Sequence, residues 1–155
     1  MHKTQLAVGY DELESCHNAK ALALKLGLPL SNEIMPRLQV QTDKLVLLMP
    51  GFKPLSADFS INARTVRHKE GKSQAIVRAC KPVSGLKIID ATAGWGKDAA
   101  ILASFGAEIC MIERNPVMAA LLEDAITRMR VASSLSDSLV LLQGDAKAYL
   151  KILNP

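Results

Sequence analysis

Apolar positions along the chain change their period several times, and each change marks an element. Gln5-Leu-Ala-Val-Gly-Tyr10 reads as a short strand. From Glu12 to Leu26 the residues Leu13, Ala19, Leu22, Ala23 and Leu26 recur at helical spacing, and Gly27 is placed to end that helix. Gln39 to Val46 is a β pattern broken around Thr42-Asp43-Lys44, which predicts a hairpin turn. The run Val46 to Met49 is too short for its pattern to classify, and Pro50, Gly51 and Pro54 then punctuate the chain. Residues 56–72 turn polar and basic, and Ser73 to Lys81 returns to a helix with Ala75, Ile76, Ala79 and Cys80 on its apolar side. Pro82 and Gly85 close it.

From Leu86 the pattern becomes regular. Leu86 to Asp90, Ala107 to Glu113 and Leu139 to Leu142 read as strands. Lys97 to Phe105, Pro116 to about Val131 and Ala146 to Leu153 read as helices. Ala91 to Gly96 is a small-residue turn, Gly106 stops the first helix, and Ser133 to Ser138 is a loop. Asn115-Pro116 is a helix start, with proline at the first helical position. Strands alternating with helices build a parallel sheet through right-handed crossovers, and continuous apolar strands predict a sheet covered on both faces. The chain thus divides into a small α+β unit over residues 1–60, a basic segment and helix over 61–85, and a βαβαβα unit over 86–155.

Composition narrows the class. Hydrophobic residues are 49% and charged residues 22%, as in a globular chain and unlike a disordered one. The longest nearly apolar stretch, Leu45 to Phe52, is interrupted by Pro50 and Gly51. That is far short of the roughly 20 residues of a membrane span. Met1-His2-Lys3-Thr4-Gln5 leads into no long apolar region, so no secretory signal is read and the expected location is the cytosol. Nineteen Lys and Arg against fifteen Asp and Glu give a charge of +4, a mild bias toward a polyanionic partner. Cys16, Cys80 and Cys110 are widely spread with no C-x-x-C pair, so reduced, mostly buried thiols are expected rather than disulfides or a zinc site. His17 and His68 have no ligand-like partners in sequence, and no metal is expected. Gly71-Lys72-Ser73 matches the end of a phosphate-binding loop, but the required upstream glycine position holds Val66 and no strand ends there. A nucleoside triphosphatase is excluded.

Ligands of open α/β sheets sit beyond the carboxyl ends of the strands. Three special segments fall there: Asp90-Ala-Thr-Ala-Gly-Trp-Gly-Lys-Asp98, Glu113-Arg-Asn-Pro116 and Gln143-Gly-Asp-Ala146. Gly94 and Gly96 let the backbone approach a ligand without a Cβ. Glu113, nineteen residues after Gly94, is placed to accept from ribose hydroxyls. Two nucleoside derivatives compete. Gly94-x-Gly96-x-x-Ala99 satisfies the dinucleotide pattern, but Asp90 and Asp98 would repel a pyrophosphate at the helix start. S-adenosylmethionine has no phosphate, and its sulfonium and ammonium would be attracted by the same two carboxylates. Lys97 could then meet the methionine carboxylate, Asp145 the adenine amino group, and Ala146 the ring. Charge matching favours the second ligand. Trp95 reads either as a flank of the cofactor or, with more weight, as cover for the sheet edge. Arg64, Arg67, His68, Lys69 and Lys72 read equally as RNA phosphate contacts or as a solvated loop. Two tyrosines, one tryptophan and three phenylalanines are too few for a single-strand stacking platform.

At these residues the chain resembles a family. Asp90-Ala-Thr-Ala-Gly-x-Gly-Lys-Asp98 followed by Met111-Ile-Glu-Arg-Asn-Pro-Val-Met-Ala-Ala-Leu-Leu122 is similar to the RsmJ family, class I methyltransferases that modify a guanine N2 of bacterial 16S ribosomal RNA. The resemblance covers residues 56–155 and is strongest over 86–124. It implies the N-terminal half of a Rossmann-like methyltransferase fold, S-adenosylmethionine as cofactor, and 16S ribosomal RNA or the small ribosomal subunit as partner. It also implies cofactor contacts at Lys97 and Asp98, at Glu113 and Arg114, and at Asp145 and Ala146. In the family the last pair is usually two small hydroxyl residues, so Asp145-Ala146 departs from the pattern. The family's next motif, an Asp-Pro followed by an apolar or aromatic residue, is absent, and a C-terminal truncation is expected. The missing motif normally holds the target amine, so methyl transfer by these residues alone is not expected. A sheet cut after three strands would leave an open edge that favours self-association. An NAD(P)-binding oxidoreductase-like domain and a non-enzymatic RNA- or partner-binding module are the competing readings.

Overall fold

The computed structural model describes residues 6–60, 74–132 and 138–153. The basic positions Arg64, Arg67, His68, Lys69 and Lys72 lie outside the described residues. The chain forms two compact units, Met1–Ala57 and Asp58–Pro155.

In the first unit, strand β1 (Ala7–Tyr10) leads through a 3-10 turn (Leu13–Ser15) into helix α1 (Cys16–Leu26). Strands β2 (Arg37–Val40) and β3 (Leu45–Leu48) follow. The order is β1-β2-β3, with β1 parallel to β2 and β2 antiparallel to β3. The predicted hairpin is present: the Gln41 N–H donates to the Lys44 carbonyl at 2.9 Å. Gly27 closes α1 in the left-handed region at φ 63°, and the Leu28 N–H reaches back to the Ala23 carbonyl. Ala19 and Ala23 are buried, as their spacing requires, but Leu13 is 83% exposed. The reason is local: Leu13 lies in the 3-10 turn, so it is out of phase with the α1 stripe. Val8 and Leu38, partners across β1 and β2, are fully buried.

The second unit carries α2 (Ala75–Cys80), β4 (Lys87–Asp90), α3 (Lys97–Ser104), β5 (Glu108–Glu113), α4 (Pro116–Ala132), β6 (Leu139–Gln143) and α5 (Ala146–Leu153). The sheet is wholly parallel in the order β4-β5-β6. Helix α3 ends at Ser104, one residue before the predicted end at Phe105, and Gly106 follows at φ 91°. Ala99 to Leu102 of α3 and Leu121, Leu122, Ala125 and Ile126 of α4 are buried, as are Ile109, Met111 and Leu139 of the sheet.

The expectation of a sheet covered on both faces holds for one face among the described residues. Side chains alternate along a strand, and the register aligns Ile89, Cys110 and Val140 in one row. Ile89 is 42% and Val140 46% exposed. With Leu142, Tyr149 and Ile152 they line an apolar groove of about 420 Å³. The thiols also differ from expectation: all three are unbridged but only half-buried, because Cys110 faces this groove and Cys16 and Cys80 lie at helix ends. Burial pushes the Cys110 thiol pKa up, which keeps it protonated. No helix among the described residues is long and apolar enough to cross a membrane.

Candidate cofactor site

All nine residues singled out in the sequence lie at the carboxyl ends of β4, β5 and β6 or in the first turn of the helices that follow. Parallel pairing brings the three strand ends side by side, with Asp90 level with Met111 and Glu113 level with Gln143.

The first loop runs from Asp90 to Asp98. Asp90 is half-buried, and its Oδ1 accepts from the Thr92 N–H at 3.1 Å. Burial raises its pKa above the usual carboxylate range; the Thr92 bond opposes this, and the charges of Asp98 and Glu113 add to it. Three carboxylates therefore share one electrostatic neighbourhood, which suits a positively charged ligand. Gly94 and Gly96 adopt φ 52° and 66°, a conformation that disfavours a side chain. The Gly96 N–H donates to the Ala93 carbonyl at 2.7 Å and Gly96 caps α3. Lys97 and Asp98 occupy the first turn of α3 and are exposed.

Glu113 ties the loops together. Its Oε2 accepts from the Gly94 N–H at 3.0 Å, and its Oε1 from the Asn115 N–H at 2.7 Å. Its backbone carbonyl accepts from the Gly144 N–H at 2.9 Å. One residue thus fixes the first, second and third loops at once. Each carboxylate oxygen retains acceptor capacity beyond its backbone bond, so a vicinal diol can still bind. Arg114 beside it is exposed.

Asn115 and Asp145 serve the helices that follow. The Asn115 Oδ1 accepts from the Val117 and Met118 N–H groups at 2.9 and 3.3 Å, capping α4 as the Asn-Pro pair predicts. Asp145 Oδ1 accepts from the Lys147 N–H at 2.9 Å at the start of α5, and Ala146 beside it is half-buried. Capping explains the presence of an acid at 145 without a ligand, but it engages only one carboxylate oxygen.

Phe59 and Tyr149 support the site and were not visible in the sequence. Phe59 is 1% exposed, and a Cβ on Gly96 would stand 2.6 Å from its Cζ. The Tyr149 hydroxyl donates to the Gln143 carbonyl at 3.3 Å, and a Cβ on Gly144 would stand 2.8 Å from its ring. The only available signal was a phenylalanine isolated in polar sequence. Among the described residues no group of His, Cys, Asp and Glu could hold a metal ion.

Residues 21–155 match the family model described as SAM-dependent methyltransferase. The ribosomal RNA small subunit methyltransferase J of Legionella pneumophila (strain Lens) is 48% identical over 147 residues, covering 95% of this chain and 60% of the relative. The protein of the same name from Nitrosococcus oceani is 33% identical over 168 residues, covering 95% of this chain and 63% of the relative. A crystal structure of a SAM-dependent methyltransferase from Neisseria gonorrhoeae superposes with a TM-score of 0.67 at 25% identity, over 97% of this chain and 64% of that one. The chain spans about three-fifths of the length of these relatives.

Proposed function

Because this chain belongs to the SAM-dependent methyltransferase family, whose Rossmann-like α/β fold it shares, we propose that residues 86–153 form the S-adenosylmethionine site of a ribosomal RNA methyltransferase. The observation that carries this reading is the Glu113 carboxylate, held by the Gly94 and Asn115 N–H groups with acceptor capacity left for a ribose diol. The rest of the site fits the same ligand. Gly94 and Gly96 give it a bare backbone, Asp90 and Asp98 face its positive charges, and Lys97 its carboxylate. Arg114 borders the ribose pocket from the exposed side, and Asp145 and Ala146 take the adenine. When bound, the cofactor supplies a methyl group on a sulfonium, an electrophile that needs no phosphate contact.

The substrate we propose is 16S ribosomal RNA, at a guanine N2, within the small ribosomal subunit. The names of the relatives support ribosomal RNA of the small subunit. The basic stretch from Arg64 to Lys72 is the proposed phosphate contact, and the cytoplasm, where that RNA resides, is the proposed location. Self-association through the open β4 edge and the apolar groove belongs to the same proposal.

Isothermal titration calorimetry with S-adenosylhomocysteine and with NADH decides the cofactor. Binding of S-adenosylhomocysteine is expected. Binding of NADH alone would overturn the reading in favour of a dinucleotide domain.

A further inference from the structure

The glycine loop is held from two sides, and only one of them is polar. At the Gly94 end its N–H is fixed by the Glu113 carboxylate. At the Gly96 end the loop lies against carbon: a Cβ there would stand 2.6 Å from Phe59 Cζ, 3.0 Å from Phe59 Cε1 and 2.9 Å from Leu122 Cδ2. Such spacing means that the ring edge and the leucine methyl already touch the glycine Cα. Both side chains are buried, Phe59 at 1% and Leu122 at 0% exposure. They are far apart in sequence: Phe59 precedes the basic segment, and Leu122 lies two turns into α4.

We propose that Phe59, with Leu122, is a positioning residue for the cofactor: it is the floor that sets the height of the Gly96 turn and, through it, the first turn of α3. Gly96 sits at φ 66°, where glycine is permitted many neighbouring conformations, so its backbone does not define its own geometry. No side chain caps α3, because Gly96 is the cap residue and carries none. At the turn the Gly96 N–H donates to the Ala93 carbonyl and the Ala100 N–H to the Gly96 carbonyl at 2.9 Å, and upstream the Ala93 N–H donates to the Ile112 carbonyl of β5 at 3.2 Å. The first two bonds are internal to the loop and helix, and they would survive a descent of the Gly96 end that pivots on the segment anchored to β5 at Ala93 and Gly94. What prevents that descent is the ring beneath. Close-packed interiors transmit a missing volume as a displacement of the neighbours best able to move, and a glycine turn is such a neighbour. Lys97 and Asp98 follow directly, so lowering Gly96 moves the two side chains meant for the methionine end of the cofactor. Glu113 would keep its own position, since it is held from Asn115 and Gly144 as well.

This inference rests on the S-adenosylmethionine reading, and its test separates the two. The full chain is compared as wild type, Phe59→Leu, Phe59→Met, Leu122→Val and Met129→Leu. Met129 is 2% exposed near the far end of α4 and serves as a buried control away from the loop. Two readouts are taken: S-adenosylhomocysteine affinity by calorimetry, and amide hydrogen exchange at residues 96–98 with no ligand present. Phe59→Leu and Leu122→Val are expected to weaken binding by about tenfold and to speed exchange at 96–98. Phe59→Met, no larger than leucine but unbranched and long enough to reach the place of the ring tip, is expected to stay within about threefold of wild type, and Met129→Leu to change neither readout. Two independent floor residues keep the test decisive if one variant fails to fold. Unchanged exchange at 96–98 in both floor variants would overturn the proposal, as would an equal loss of affinity in Met129→Leu. Failure of the wild type to bind S-adenosylhomocysteine would instead strike the functional reading, and the exchange data would still decide the role of Phe59.

Discussion

Strands β1 and β4 are the first strands of their units, yet their surroundings differ. Each is four residues long, each is followed by a helix, and each pairs in parallel with the next strand. On the outer edge of β1 the chain doubles back. The Val8 N–H donates to the Pro29 carbonyl at 2.9 Å, the Ser31 N–H to the Val8 carbonyl at 2.8 Å, and the Tyr10 N–H to Asn32 Oδ1 at 2.8 Å. Among the described residues no strand pairs with the outer edge of β4. Burial follows: Ala7 and Val8 are 0% exposed, whereas Ile89 is 42% exposed. A parallel βαβ unit is therefore a scaffold and not a site. The first unit fills the edge and end of its leading strand with its own segment, through a neutral amide. The second leaves the strand end to glycines and holds an acid there whose capacity to accept is only partly used.

Substituting the two glycines that make these close approaches should produce the largest effects. Gly96→Ala meets both a strained φ and a buried ring, and should destabilise the second unit by about 2–4 kcal/mol in denaturant unfolding. Gly9→Ala meets Asn32 Oδ1 at 2.5 Å and the Ser31 carbonyl at 3.0 Å, but at an ordinary φ. It should cost the first unit about 1–2 kcal/mol and leave cofactor binding unchanged. Equal costs at both positions would mean that backbone conformation contributes nothing at Gly96.

Next in size is the contrast between the side chains that meet the ends of the leading strands. Glu113→Ala should weaken S-adenosylhomocysteine binding by about 1–3 kcal/mol, measured by calorimetry on folded protein. Asn32→Ala should lower stability by about 1 kcal/mol, with no effect on the ligand. A ligand effect from Asn32 would erase the distinction between a filled strand end and a receptive one.

Asp90 gives a smaller effect with a defined sign. Burial holds its pKa above that of the unfolded chain, so the folded protein without ligand binds this proton more tightly. The associated stability is complete below the ordinary aspartate range and is lost as pH rises through the raised value. Asp90→Asn should therefore flatten that part of the pH–stability curve. Near pH 7 it should stabilise the ligand-free protein by less than about 1 kcal/mol, since the group is only half-buried. The same change should weaken cofactor binding, because a carboxylate facing positive charge is lost. Stronger binding by the variant would remove Asp90 from the site.

The smallest effect is expected in the groove. Val140→Thr should change stability by no more than about 0.5 kcal/mol, as at other exposed positions. It should reduce any concentration-dependent increase in sedimentation coefficient. A large loss of stability would show that Val140 is packed rather than exposed.

Most elements were legible because their signals are local. The parallel order came from alternating strand and helix patterns, and the helix ends from Gly27, Gly106 and Asn115-Pro116. The candidate site was legible for a related reason: glycines at one strand end and an acid at the next are a pattern of residue type and spacing. Leu13 was misplaced because periodicity cannot distinguish the first turn of an α-helix from a 3-10 turn.

The sequence by itself determined where most of the strands and helices lie, though not strand Leu45–Leu48, that the strands of the second unit run parallel, and which residues reach their carboxyl ends. These follow from side-chain period and turn chemistry, which act over a few residues. Only the tertiary structure decided that Glu113 receives the Gly94, Asn115 and Gly144 N–H groups and that Phe59 lies beneath Gly96. It alone decided that Pro29 to Asn32 closes the β1 edge while Ile89, Cys110 and Val140 face an open groove. Those outcomes depend on which distant surfaces meet, and contact between residues far apart in the chain is a property of packing that no local pattern carries.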